Sequence, residues 1–407
     1  MEKLATEPQR QSAPVVDPSA WKRRVFGVVA AGLVGWYGLT RLHPCHAFND
    51  PVEEVLGLQP LTDGHNDLPY FLRLFYGNHI YQSNFSDEIT LPGHVDFPRL
   101  AEGRIRGQFW SVYIACNETN PKPDYTYVHD TLQQIDLVHR LASLYPEHLE
   151  LVPDTTAFRN TFESSPSRIA SFLGVEGLHQ IGSSPATLRL YHSLGVRYTT
   201  LTHTCHNEYA DSASPSQPRH NGLSPAGRDI VLEMNRLGMA VDLAHVSAKT
   251  MHDALDTSKA PVIFSHSSVY ALCANPRNVP DDVLLRLRDN GGVIMITFFP
   301  AYTRCDDPEL ATLSDVADHI QYVGDLIGYE FVGLGSDFDG METTIRGLED
   351  VSKYPDLIAE LLRRGVSVED VAGVIGGNVL RVMRGIERVS AEMVEEGVTP
   401  LEDGKVH

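Results

Sequence analysis

His65 and Asp67, in the run PLTDGHNDLPY, bring an imidazole and a carboxylate to the end of an apolar stretch. On an extended strand, side chains at i and i+2 face the same way, so one cation can claim both. Further residues of metal-ligating type close other short β-rich runs: Glu176 in FLGVEG, His203 in TTLTHTC, His245 in VDLAHVS, His266 in VIFSHSS and Asp337 in GLGSDFDG. Three histidines with two or three carboxylates, and no need for a thiolate, suit Zn²⁺ or Mn²⁺ better than Ca²⁺, which prefers shells of oxygen alone. A tetrahedral catalytic zinc takes about three protein ligands and a water, so this many donors suggests two ions sharing a carboxylate. Glu176 is the natural bridge, because each of its oxygens can hold one cation while its charge offsets their repulsion. Any one of the 18 histidines, taken alone, is more often structural. Asp337 and Asp339 in the run Asp-Phe-Asp-Gly also make good turn chemistry.

The elements that must carry these residues alternate along the chain. Strand candidates fall at 59–67, 108–116, 170–176, 196–203, 239–245, 261–266, 291–298 and 331–337. Between them lie helical patterns: Val128, Leu132, Ile135, Val138 and Leu141 recur at spacings of three and four, which sets them on one helix face, and 229–238 and 313–328 read likewise. Eight strands alternating with helices predict a (β/α)8 barrel of the TIM type, with a doubly wound open sheet as the alternative. The barrel is preferred because the donors fall at the C-terminal ends of six strands, where a barrel gathers them into one mouth. Residues 75–106 read as an insertion after the first strand that lines that mouth. The barrel domain spans 55–390, followed by a tail at 391–407.

With 42% hydrophobic and 21% charged residues, the 407-residue chain has the composition of a globular core. A formal charge of −20, with no basic stripe to offset it, would repel a phosphate backbone and argues against nucleic-acid binding. After a polar leader at 1–24, Lys22, Arg23 and Arg24 precede the apolar run from Val25 to Leu39. Basic residues on the cytoplasmic side predict a single-pass segment at 25–40 with everything after it exoplasmic. A cleaved signal near Cys45-His46-Ala47, giving a secreted protein, is the alternative. Export agrees with the sequons at Asn84 and Asn117, and with Cys116, Cys205, Cys273 and Cys305, which can form two bridges and leave Cys45 as the odd one.

These residues carry a resemblance. Over about residues 55–390 the chain resembles the membrane dipeptidase family of zinc metallopeptidases, in the motifs DGHNDLP, GVEG, RYTTLTH, VDLAHVS, PVIFSHSS, NPRNVPDD, GLGSDFDG and EDVSKYPDLIAELLRR. The resemblance implies an amidohydrolase-type barrel with two zinc ions, one held by His65, Asp67 and Glu176 and the other by Glu176, His245 and His266. It implies that His203, Arg277 and Asp337 contact a dipeptide substrate, and that Cys116 pairs with Cys205 and Cys273 with Cys305. The expected reaction is hydrolysis of the peptide bond by a metal-bridging water, with His203 donating to the oxyanion, Asp337 moving the water's proton and Arg277 holding the substrate carboxylate. Mammalian members carry a cleaved signal and a C-terminal lipid anchor, whereas this chain has the N-terminal apolar segment and no apolar tail after Val398-Thr399-Pro400. Three other readings stay open: an amidohydrolase acting on a β-lactam or cyclic amide, a dipeptidase trimming cysteinyl-glycine conjugates, and a non-catalytic surface protein, although no ligand is missing. Homodimerisation is open as well.

Overall fold

Nine parallel strands run through the domain: β1 (Leu61–Asn66), β2 (Ile105–Val112), β3 (Leu149–Leu151), β4 (Ile169–Val175), β5 (Val196–Thr200), β6 (Ala240–Asp242), β7 (Ile263–Ser267), β8 (Val293–Ile296) and β9 (Val332–Leu334). The computed structural model describes residues 50–82, 85–116 and 124–403. The leader at 1–24, the apolar segment at 25–40, Cys45, Asn84, Asn117 and residues 404–407 lie outside the described residues. Among the described residues, no helix is long and apolar enough to cross a membrane.

Eight of the strands close the predicted (β/α)8 barrel, with β2 paired to β4 and β1 to β9. All eight match the strand positions expected from sequence. β3 is additional: it pairs only with the N-terminal half of β4, Leu149 opposite Ile169 and Leu151 opposite Ser171, and stands outside the ring. Three residues leave no periodicity to read, which is why sequence gives no sign of it. The barrel strands are buried on both faces, as the continuous apolar runs require of a parallel sheet covered by helices.

The core has two layers. Inside the ring, Phe109, Phe172, Tyr198, Ile263 and Met295 meet Leu380, Met383 and Ile386 of the last helix, Asn378–Glu395. That cluster also takes in Ala240, Ile263 and Val293, which begin their strands, so the helix plugs the end opposite the donors. Between strands and outer helices lies the larger layer, which includes Ile135, Val138 and Leu141 of helix Asp124–Leu144. Leu132 departs from the expected face and is 40% exposed. The buried stripe runs instead through Thr131 and Gln134, whose polar tips are hydrogen-bonded, Thr131 to the Tyr127 carbonyl at 2.7 Å and Gln134 to the Tyr113 carbonyl at 3.0 Å. A stripe centred on polar residues is invisible to hydrophobic spacing.

One glycine decides the barrel interior. A Cβ on Gly174 of β4 would lie 2.0 Å from the Tyr198 ring on β5, so that bulky ring fits only because position 174 has no side chain. Gly174→Ala should therefore lower the thermal midpoint by the equivalent of about 1–3 kcal/mol of overpacking. In a Tyr198→Ala background the same change should add almost nothing. An equal loss in both backgrounds, read by thermal unfolding, would show that the clash lies elsewhere.

Candidate functional site

The donors that sequence sets at strand ends meet in one buried place. His65 lies in β1 and His266 in β7; Glu176 follows β4 directly, and His203, His245 and Asp337 come three residues after β5, β6 and β9. Asp67 is already off the strand, at the start of helix Leu68–Tyr76, yet its carboxylate lies 3.2 Å from His65 Nε2. Gly177 turns the chain sharply behind Glu176 with φ of 113°. His245 and Asp337 themselves adopt φ of 64° and 70°, a conformation that side-chain-bearing residues rarely take and that clusters where function demands it.

Glu176 Oε1 is the centre. It lies 3.1 Å from His245 Nε2, 3.4 Å from His266 Nε2, 3.6 Å from His65 Nε2 and 3.7 Å from His203 Nε2. His245 and His266 turn their Nε2 atoms toward each other at 2.9 Å, and Asp337 Oδ1 is 3.9 Å from His65 Nε2. Three trios, His65 with Glu176 and His266, Glu176 with His203 and His245, and His65 with Asp67 and Asp337, each gather their donor atoms within 4.8 Å. Burial drives His203, His245 and His266 well below the ordinary imidazole range, so each keeps a lone pair. His65 goes the other way. Burial would lower it, but the carboxylates of Asp67, Glu176 and Asp337 hold it up to about 10. Burial also lifts Glu176, and burial together with the neighbouring Asp67 pushes Asp337 up to about 7.

This donor set fits a metal ion. His65 Nε2 and Asp67 Oδ1 are buried without a hydrogen-bond partner, and nitrogen and carboxylate oxygen are the donors that zinc-type cations take. Arg277 is also only partly satisfied: it is 5% exposed, its Nη2 donates to the His266 carbonyl at 3.4 Å, and its Nε and Nη1 have no partner. Its guanidinium lies 5.1 Å from the centre of the Tyr302 ring. Above these groups opens a cleft of about 690 Å³ lined by Tyr70, Phe75, His94, Tyr113, His203 and Tyr302. His94 comes from the insertion at 75–106, which does line the mouth. Both expected disulfides are present, Cys116 with Cys205 and Cys273 with Cys305, and they join loops on this same side.

Sequence reading missed four residues beneath the donors. Tyr198 meets His65 Nδ1 at 2.8 Å, Ser265 meets His266 Nδ1 at 2.8 Å, Asp242 accepts from Ser265, and Asp63 accepts from the His65 backbone N–H at 3.1 Å. The available signal is an aspartate two or three residues before the strand-end histidine, in both TDGH and VDLAH.

With this geometry in hand, comparison with known proteins decides the family. The family model for Membrane dipeptidase (Peptidase family M19) matches residues 50–397. The chain belongs to the membrane dipeptidase family. It is 58% identical over 355 residues to dipeptidase aclJ of Aspergillus oryzae, covering 87% of this chain and 84% of that protein. Dipeptidase verJ of Clonostachys rogersoniana is 50% identical over 356 residues, covering 86% and 90%. Among solved structures, dipeptidase AC, a metallopeptidase of family M19, shares 25% identity with a TM-score of 0.72 over 81% of this chain and 98% of its own. The probable dipeptidase PvdM from Pseudomonas aeruginosa, 23% identical, has the same fold, with a TM-score of 0.75 over 83% of this chain and 98% of its own. The protein is thus a metallo-dipeptidase, a hydrolase of dipeptides that depends on a metal cofactor. Exhaustive chelation of the dipeptidase should abolish hydrolysis yet leave its circular dichroism spectrum unchanged, because the barrel is closed by its own strands and two disulfides. Full activity after chelation, or collapse of the helical signal, would contradict this division.

Proposed function

We propose that the dipeptidase uses two zinc ions, one held by His65, Asp67 and Glu176 and the other by Glu176, His245 and His266. One observation carries this reading: a single oxygen of Glu176 lies within 3.7 Å of four imidazole nitrogens, the surroundings expected of a carboxylate shared between two ions. Carboxylates together with imidazoles kept neutral by burial support zinc. When bound, two such ions polarise the scissile carbonyl and make water acidic enough to act as a nucleophile near neutral pH.

The remaining chemistry belongs to residues that hold no ion. His203 is kept neutral by burial, and its ring lies 4.6 Å from Tyr113 at the cleft; it donates an N–H to the oxyanion as charge builds there. Asp337 is pushed up to about 7 by burial and by Asp67, so it can take a proton from the attacking water and release it to the leaving amine near neutrality. Arg277 offers the unpartnered Nε and Nη1 of a planar fork to the free carboxylate of the substrate, which restricts hydrolysis to short peptides. His203, Arg277 and Asp337 are therefore the substrate contacts, and the peptide bond of a dipeptide is the one cleaved.

Two sets of variants test this. Glu176→Gln should lower the content of both zinc ions together, while His266→Ala should mainly empty one site; equal loss of both ions from each variant, by metal analysis, would contradict the shared-ligand assignment. Arg277→Ala should cut kcat/KM for dipeptides by the roughly 1.5–3 kcal/mol that a charge-assisted hydrogen bond is worth, about 10- to 150-fold, and spare C-terminally amidated analogues. Equal losses on both substrates would make Arg277 structural.

A further inference from the structure

The buried groups behind the proposed ligands form a chain whose proton positions follow from counting donors. Asp242 is wholly buried at the end of β6 and accepts four hydrogen bonds. Its Oδ1 takes the backbone N–H of Ala244 at 3.1 Å and of Ser265 at 2.8 Å. Its Oδ2 takes the hydroxyls of Thr200 and Ser265, both at 2.6 Å, the length typical of a hydroxyl on a carboxylate. A serine has one proton, and Ser265 gives it to Asp242. Toward His266 Nδ1, 2.8 Å away, the serine oxygen can then only accept. His266 must carry its proton on Nδ1, leaving the lone pair on Nε2, which faces Glu176.

The other half of the site has a parallel contact, outside the reach of this count. The buried Tyr198 phenol stands against His65 as Ser265 stands against His266, and its oxygen carries lone pairs. It can accept from His65 Nδ1 at 2.8 Å, and His65 Nε2 is left facing Asp67 and Glu176. We infer that Asp242 is a positioning residue that, through Ser265, fixes the His266 tautomer and so aims the Nε2 lone pair at the metal centre. The two bonds from Ser265 tie β6 to β7, and two of the four orient the hydroxyls of Thr200 and Ser265. The inference rests on the reading of His266 as a metal ligand, and it deepens that reading by giving its orientation a cause. Partners behind ligands typically change metal affinity 10- to 100-fold.

Non-additivity is the decisive test. In Asp242→Asn the amide NH2 donates to Ser265 Oγ, which must turn its own proton toward His266 Nδ1 and so move the imidazole proton onto Nε2, the ligating atom. Zinc affinity, measured by competition with a chromophoric chelator on the full chain, should fall about 100-fold in Asp242→Asn and about tenfold in Ser265→Ala. In the double variant it should return to about the tenfold loss, because no serine proton remains to force the wrong tautomer. A double variant weaker than Asp242→Asn, or an Asp242→Asn protein that binds zinc like the wild type, would overturn the inference. Should Asp242→Asn not fold, long-range proton–nitrogen NMR of the zinc-free wild type, with His266 assigned through Ser265→Ala, still decides: protonation on Nδ1 supports the relay and protonation on Nε2 refutes it. A wild-type protein that binds no zinc would sink the metal reading itself, whereas the His266 spectrum tests the relay alone.

Discussion

Three carboxyls, Glu176, Asp67 and Asp337, stand side by side where water hardly reaches, all under 10% exposed. Like charges removed from water repel one another and lose hydration, so such a cluster persists only where cations or protons meet it. The consequence is visible in the titration of the site: burial lifts Glu176 and Asp337, and the carboxylates in turn lift His65 to about 10. A divalent ion reverses that balance, since it stabilises the charged carboxylates and competes with the proton for the imidazole. The fold's task is to hold this repulsive set together without one. Asp63 does part of it, accepting from the His65 N–H, from the Ser336 N–H at 2.9 Å and from the Ser336 hydroxyl at 2.7 Å, and thereby joining the end of β1 to the loop after β9 that bears Asp337. Asp242 performs the matching task between β6 and β7.

How much of this could be read from sequence follows from the physics of parallel strands. A strand buried on both faces is an unbroken apolar run, and a polar residue at its end breaks the pattern conspicuously. His65, Glu176, His203, His245, His266 and Asp337 were therefore legible one by one, and the barrel supplies their convergence. Asp242, Ser265 and Tyr198 lie inside or at the edge of such runs, where a single polar residue reads as ordinary alternation. Their partners are also remote: His65 and Tyr198 are 133 residues apart. Four cysteines allow three pairings, so spacing alone left the disulfides open and the family resemblance selected the pairs that are present.

The misses in the fold have a similar origin. β3 is too short to repeat, and the buried face of helix Asp124–Leu144 is centred on Thr131, whose hydroxyl is hydrogen-bonded, and Gln134, whose amide N–H donates to the Tyr113 carbonyl. Hydrophobic spacing treats such residues as solvent-facing and so rotates the inferred face toward Leu132. The error is small for the architecture, because the helix is in the right place. It matters for the site, because Gln134 holds the carbonyl of Tyr113, and Tyr113 lines the cleft.

The arrangement separates two tasks. The proposed zinc ligands are buried and sit in strands or within three residues of them. Arg277, by contrast, lies on a loop and Tyr302 on the short helix Pro300–Thr303, while Tyr113 opens the loop one residue after β2; such segments cost entropy to hold in one conformation. The two disulfides act where that cost falls: Cys116 with Cys205 joins the loop carrying Tyr113 to the one carrying His203, and Cys273 with Cys305 joins the loop carrying Arg277 to the segment carrying Tyr302. Stapling these segments in pairs helps them present a set of aromatic rings and a buried guanidinium, tied by one hydrogen bond to the β7 residue His266, over the donors. On this division the hydrolytic centre depends on strand register, whereas the choice of dipeptide depends on stapled loops, so substitutions at Tyr113 or Tyr302 can alter what is accepted while leaving the ions in place.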